Sequence, residues 1–82
     1  MTQSPSVGRI VHYVSYGTPG GEFRSQDRAA IVADVELDPT GTSRTGRVKV
    51  CVLNPSGIFF SEWLEQSEDE KRPGTWHWPE RE

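Results

Sequence analysis

The chain has 82 residues, a mass of 9.2 kDa and a net charge of −3 at pH 7. Hydrophobic residues make up 33% of it, against roughly 45–50% in a typical domain, a figure that also counts glycine. The sequence can therefore bury only one small core. These values exclude a large enclosed catalytic cavity, a dinucleotide-binding α/β unit and a TIM barrel.

Charge and cysteine content narrow the class of protein further. Residues 1–61 carry six bases and five acids, whereas residues 62–82 carry three bases and seven acids. Because DNA binding depends on neutralising phosphates with a basic excess, we do not expect a double-stranded DNA binder. The single Cys51 excludes an intramolecular disulfide, and we find neither a signal peptide nor an apolar run that could span a membrane. The expected location is a reducing cytoplasm, without membrane contact.

β-Branched and aromatic residues recur in five short segments separated by turn-forming residues, a pattern typical of strands. Residues 29–37 also contain helix-favouring Ala and Glu, but their alternation favours a strand. We predict a flexible N-terminus over residues 1–7 and one domain over residues 8–80. The predicted strands cover residues 8–16, 29–37, 47–53, 58–64 and 75–78.

Alternation within these segments predicts which side chains are buried. Three valines of the third strand face the core, and three residues of the second strand face them from the opposite side. These are Val48, Val50 and Val52, opposed by Ile31, Ala33 and Val35. Residues 17–21 (Gly-Thr-Pro-Gly-Gly) begin a long first loop, and residues 54–57 (Asn-Pro-Ser-Gly) predict a tight turn with Gly57 at positive φ.

Five short strands without a long amphipathic helix predict an all-β fold. Closure into a barrel would remove exposed sheet edges. The spacing of the segments is typical of a five-stranded SH3-like barrel. It consists of one long loop, one medium loop, one tight hairpin and a late short strand. In such a barrel the first and last strands pair.

The two histidines, His12 and His77, lie at the centres of the first and last strands and are expected to be neighbours. A metal site would need a third ligand, either Cys51 or a carboxylate. The chain has no Cys-x-x-Cys or His-x-x-x-His spacing. We therefore predict a cross-strand histidine pair, with no metal and no cofactor. Cys51 is predicted to be a small apolar residue of the strand. We predict no catalytic residues and no enzymatic activity.

The aromatic residues are the strongest indication of a binding site. Three Trp, two Tyr and three Phe are more than so small a core can readily absorb. One interpretation is that one or two rings, Trp76 foremost, lie exposed beside loop arginines and bind by stacking and charge. The alternative is that the rings complete the core and cover arginine stems. The predicted binding residues are Trp76, Trp78, His77, His12, Arg24 and Arg28.

Motifs at both ends of the chain resemble those of a known family. The opening Gly8-Arg9-Ile10-Val11-His12-Tyr13 and the closing Gly74-Thr75-Trp76-His77-Trp78-Pro79 are similar to the ends of a group of short uncharacterised bacteriophage and prophage proteins. The similarity covers most of residues 8–80. It implies a viral protein that acts in the cytoplasm of a bacterial host, and it implies no catalytic residues.

We therefore expect a non-enzymatic accessory phage protein that binds a host or phage protein. One alternative is capture of a small anionic ligand, such as a nucleotide signal used in host defence. A second alternative is binding of single-stranded nucleic acid. Homo-oligomerisation would favour an assembly or ligand-capture function, because pockets on small barrels often form between subunits.

Overall fold

A computed structural model describes residues 4–17 and 24–79. Within these ranges the chain forms five strands and no helix, which confirms the all-β prediction. The strands are β1 (Ile10–Val14), β2 (Asp27–Leu37), β3 (Arg44–Asn54), β4 (Gly57–Phe60) and β5 (Trp76–His77). They form one antiparallel sheet in the order β4-β3-β2-β1-β5. The predictions for residues 1–3, for residue 80 and for most of residues 17–21 lie outside the described residues.

The predicted pairing of the first strand with the last strand is confirmed. His12 lies opposite His77, and Tyr13 lies opposite Trp76. The predicted turn at residues 54–57 is also confirmed, because Asn54 pairs with Gly57 to begin the β3–β4 hairpin. Gly57 has a φ of 154°, positive as predicted.

Valines of β3 form the centre of the core, as predicted from their alternation. Val48, Val50 and Val52 are fully buried. The prediction for β2 is wrong at two of its three residues, because Ile31 and Ala33 are exposed. Instead, Ala30 and Val32 are buried beside Val52 and Val50 in the sheet. Trp76, Val11, Tyr13 and Leu64 complete the buried cluster, and Val35 packs against it.

A β-bulge explains the error in β2. Val32 pairs with Val50, but Asp34 pairs with Lys49, so Ala33 is an extra residue without an opposite partner. An extra residue reverses which face of the sheet the following side chains occupy. Val35, after the bulge, therefore points inward as predicted. Before the bulge the inward residues are the even-numbered Ala30 and Val32, and not the odd-numbered residues that were predicted.

Residues after β4 connect the two sides of the sheet. Leu64 exchanges two backbone hydrogen bonds with Val48 of β3, at 2.8 and 3.1 Å. Just beyond it, the N–H of Ser67 donates to the carbonyl of Trp76, and the N–H of Trp76 donates to the carbonyl of Glu65. Residues 64–67 thus contact β3 on one side and β5 on the other. Among the described residues, no helix has the length and apolar character needed to cross a membrane.

Candidate functional site

The sheet carries a row of apolar side chains on its outer face, the side opposite the buried valines. Ile10, Ile31, Cys51 and Phe60 lie in one cross-strand row through β1, β2, β3 and β4. Ile10 is 59% exposed and Phe60 71% exposed. Cys51 is half-buried between Ile31 and Phe60, which agrees with its prediction as a small apolar residue.

The neighbouring row extends this surface. Ala29, Leu53 and Ile58 lie opposite one another on β2, β3 and β4, and Leu53 and Ile58 are both exposed. We call the combined surface the apolar face. Its members are Ile10, Ile31, Cys51, Leu53, Ile58 and Phe60. Soluble monomers seldom expose contiguous apolar patches larger than roughly a few hundred Å², and patches of that kind commonly mark interaction sites.

β4 adds unpaired backbone groups to the apolar face. It is one of the two terminal strands of the sheet, and all four of its residues are exposed. The N–H of Ser61 donates to the carbonyl of Val50, and hydrogen-bonded pairs alternate along an antiparallel ladder. The N–H and C=O groups of Ile58 and Phe60 therefore point away from β3. Within residues 4–17 and 24–79, no backbone group pairs with this edge, so Ile58 and Phe60 present both an apolar side chain and a free backbone edge.

A second group of side chains lies where β1, β2 and β5 meet. The imidazole rings of His12 and His77 pack edge to face with their centroids 5.5 Å apart, which confirms that the two histidines are neighbours. One carboxylate oxygen of Asp27 lies 3.5 Å from His12 Nδ1 and 3.4 Å from His77 Nε2. His77 is fully buried, whereas the side chains of His12 and Asp27 are partly exposed.

The two C-terminal tryptophans have different environments. Trp76 is fully buried, and its indole Nε1–H donates to the carbonyl of Gly46 at 2.9 Å. The expectation that Trp76 is the exposed ring is therefore wrong. Trp78 is half-buried, packs edge to face on Trp76 at 5.3 Å, and has the guanidinium of Arg9 over its ring at 5.0 Å.

The predicted arginines occupy other places. Arg28 lies within β2 and not in a loop, opposite Tyr13, and its partly buried side chain has the same parity as Ala30. Arg24 is exposed shortly before β2. Neither Arg24 nor Arg28 is the cation over a C-terminal tryptophan ring; that cation is Arg9, which lies over Trp78.

Tyr13, opposite Arg28, has a shifted pKa. Burial raises the pKa of Tyr13 above its ordinary value of 10.0, and the charge of Tyr16 adds to this effect.

Two features of these sites are not visible in the sequence. Asp27 lies outside the predicted strand and far from both histidines in sequence, so nothing in the sequence places it beside them. Alternation predicts a strand at Ile58 and Phe60, but it does not reveal that this strand is an edge. Comparison with known proteins finds no matching family model, no matching curated protein and no matching solved structure.

Proposed function

We propose that this chain is a non-enzymatic accessory protein of a bacteriophage, which binds a host or phage protein in the bacterial cytoplasm. The resemblance of the two end motifs to those of short phage proteins supports the viral origin. The apolar face, together with the free edge of β4, supports binding of a protein. The partner contributes an extended segment that pairs with β4 and covers Ile58 and Phe60.

The observation that carries this proposal is the composition of the exposed edge strand. Natural sheets commonly protect an edge with lysine, proline, a charge or a bulge. β4 reads Gly-Ile-Phe-Phe and contains no charge and no proline, so its protection is limited to its short length. A strand added to such an edge gains main-chain hydrogen bonds, and the neighbouring apolar side chains provide specificity.

We further propose that the sheet closes as a small SH3-like barrel, with residues 64–67 as the connecting segment. The backbone hydrogen bonds of Leu64 to Val48 and of Ser67 and Glu65 to Trp76 support this closure. In a closed barrel the C-terminal part of the chain after β4 protects β5 and the N-terminal half of β3. The edge of β4 then remains the accessible one.

The test is affinity capture from infected host lysate, followed by binding measurements with the recovered partner and purified variants. Ile58→Pro removes an N–H that points away from β3, so it blocks strand addition while leaving the β3–β4 ladder in place. Phe60→Lys places a charge on the apolar face. We expect each variant to weaken partner binding at least about tenfold, which corresponds to ~1.4 kcal/mol.

Leu37→Lys is the matched control, because Leu37 is an exposed apolar residue at the opposite end of the sheet, 49% exposed. It should bind like the wild type. Equal loss in Leu37→Lys and Phe60→Lys would contradict a site at β4. Sedimentation of the purified protein alone supplies a second check. A dimer that Ile58→Pro dissociates would assign the edge to a second copy of the chain instead.

A further inference from the structure

The sequence alone predicts a histidine pair without a metal, but the structure places the Asp27 carboxylate beside that pair. We therefore propose, in place of that prediction, that His12, Asp27 and His77 bind a divalent transition-metal ion, Zn²⁺ in preference to Mg²⁺ or Ca²⁺. These residues form a group in which one potential ligand atom from each lies within 4.8 Å of the other two. Two imidazoles and one carboxylate are a donor set that zinc commonly uses. This inference is independent of the apolar face and of the proposed protein binding.

Two of the three distances in the group, those to the Asp27 carboxylate, are close to the distances between zinc ligands. With metal–ligand bonds of about 2.0–2.1 Å, two ligands of a tetrahedral zinc ion lie roughly 3.3 Å apart. Asp27 Oδ2 lies 3.4 Å from His77 Nε2 and 3.5 Å from His12 Nδ1. Octahedral Mg²⁺ requires ligands nearer to roughly 3.0 Å apart and prefers oxygen donors. Binding then needs only a closer approach of the two imidazoles.

The nitrogen atoms that would bind the metal have no hydrogen-bond partner within the described part of the chain. They are His12 Nδ1 and His77 Nε2, and both atoms are buried. A buried polar atom without a partner destabilises the folded state. At 3.4–3.5 Å from the carboxylate oxygen, neither nitrogen is close enough for a good hydrogen bond. A bound cation would satisfy both nitrogens and the carboxylate together.

The strand register explains why these three residues meet. His12 lies opposite His77 on β5 and opposite Ala29 on β2. Asp27 is two positions before Ala29, so it lies on the same face of the sheet as a diagonal neighbour of His12, within reach of its side chain. A metal at this point would link β1, β2 and β5, and so would join the first and last strands of the chain to β2.

The group is also accessible from solvent. The side chain of His12 is 33% exposed and that of Asp27 is 47% exposed, while His77 forms the buried floor. The two ligand nitrogens are themselves buried, so an ion reaches them when the partly exposed side chains of His12 and Asp27 move aside. Three protein ligands leave one position of a tetrahedral ion for water or for another ligand.

The test uses the full chain after treatment with a chelator, titrated with Zn²⁺, Mg²⁺ and Co²⁺ near neutral pH. We expect Zn²⁺ to raise the melting temperature and Mg²⁺ to leave it unchanged, because a ligand specific to the folded state stabilises it. Co²⁺, a spectroscopic substitute for Zn²⁺, should develop the intense visible absorption of a four-coordinate site. Absence of a Zn²⁺-dependent shift together with absence of this absorption would overturn the proposal.

Matched variants distinguish this site from adventitious binding. Asp27→Asn and His12→Gln change partly exposed ligands, so both variants should fold, and each should weaken Zn²⁺ binding by at least about tenfold. Asp34→Asn is the control, because it makes the same substitution on the same strand at the exposed carboxylate opposite Lys49. Equal Zn²⁺ affinity in Asp27→Asn and Asp34→Asn would overturn the assignment.

Discussion

Individual side chains of this small domain differ sharply in burial even when they are close in sequence. Trp76 and Trp78 contact each other, yet Trp76 is fully buried and Trp78 is only half-buried beneath Arg9. The indole N–H of Trp76 also donates a hydrogen bond to the carbonyl of Gly46. Trp76 therefore stabilises the fold, and the accessible ring of the pair is Trp78.

Fluorescence quenching by acrylamide tests this assignment. Variants that keep a single tryptophan, with the other two replaced by Phe, should differ in the order set by burial. We expect strong quenching of Trp78 and little quenching of Trp76. Similar quenching of the two rings would show that Trp76 is not the core residue described here.

Substitutions on the two faces of β3 should have very different effects. Val50→Asp places an unpaired charge at a fully buried position and should unfold the chain. Leu53→Asp makes the same change on the exposed face of the same strand, at a cost of roughly 1 kcal/mol or less. Circular dichroism with thermal melting measures both.

Lys49 also lies on β3, but Lys49→Asp is a less suitable control than Leu53→Asp for the effect of Val50→Asp. It lies opposite Asp34, and its ammonium group is 4.9 Å from the centroid of the Trp63 ring. Lys49→Asp would therefore oppose two carboxylates and remove a cation–π contact. Val50→Asp and Leu53→Asp variants of equal stability would contradict the register of β3.

At the scale of elements, β2 and β3 depart twice from regular pairing. Beyond the bulge at Ala33, a second irregularity lies between Val35 and Leu37. Gly46, at a φ of 97°, lies in the part of β3 that faces this irregularity. Here the Glu36 carboxylate accepts hydrogen bonds from the Arg47 guanidinium and from the Thr45 hydroxyl.

This contact predicts a dependence of stability on pH. The hydrogen bonds from Arg47 and then Thr45 lower the pKa of Glu36 below its ordinary value of 4.5. The contribution of Glu36 is therefore fully present above pH 4.5 and is lost as the pH falls through the lower folded-state value. Melting temperatures measured from about pH 5 to about pH 2 should fall less steeply for Glu36→Gln than for the wild type.

The exposed Glu62 provides the control for this pH series. Glu62→Gln should follow the wild-type curve. The same slope in Glu36→Gln and the wild type would mean that the contact with Arg47 does not persist in solution.

At the scale of the whole molecule, the C-terminal segment completes the fold. β5 supplies the fully buried Trp76 and His77 and pairs with β1. Around it, the N–H of Val14 donates to the carbonyl of Thr75, and that of Gly74 donates to the carbonyl of Val14. The segment thus binds to the first strand and, through residues 64–67, to the middle of the chain.

Deletion of residues 73–82 should therefore leave an unfolded chain. It removes the largest buried side chain and leaves β1 without one of its two neighbours. Replacing a buried Trp by Ala alone costs about 3–5 kcal/mol, comparable with the whole stability of a domain of this size. A cooperative thermal transition in the truncated protein, followed by circular dichroism, would contradict this role.

The sequence by itself determined the local features of this protein. Alternation placed Val48, Val50 and Val52 in the core, and the Asn-Pro-Ser-Gly sequence placed the β3–β4 turn. The position of His12 and His77 within the end strands was enough to predict that they are neighbours. Each of these features depends on residues close in the chain, or on one simple pairing rule.

Only the tertiary structure decided the features that depend on exact register. Ala33 reverses the parity of β2 because pairing with β3 leaves it without a partner. The pairing of β1 with β2 and with β5 brings Asp27 to the histidine pair. The tertiary fold also places the indole of Trp76 against the carbonyl of Gly46, and the strand order leaves β4 at an edge. A period of two specifies faces only until a residue is inserted, and it carries no information about which strand lies beside which.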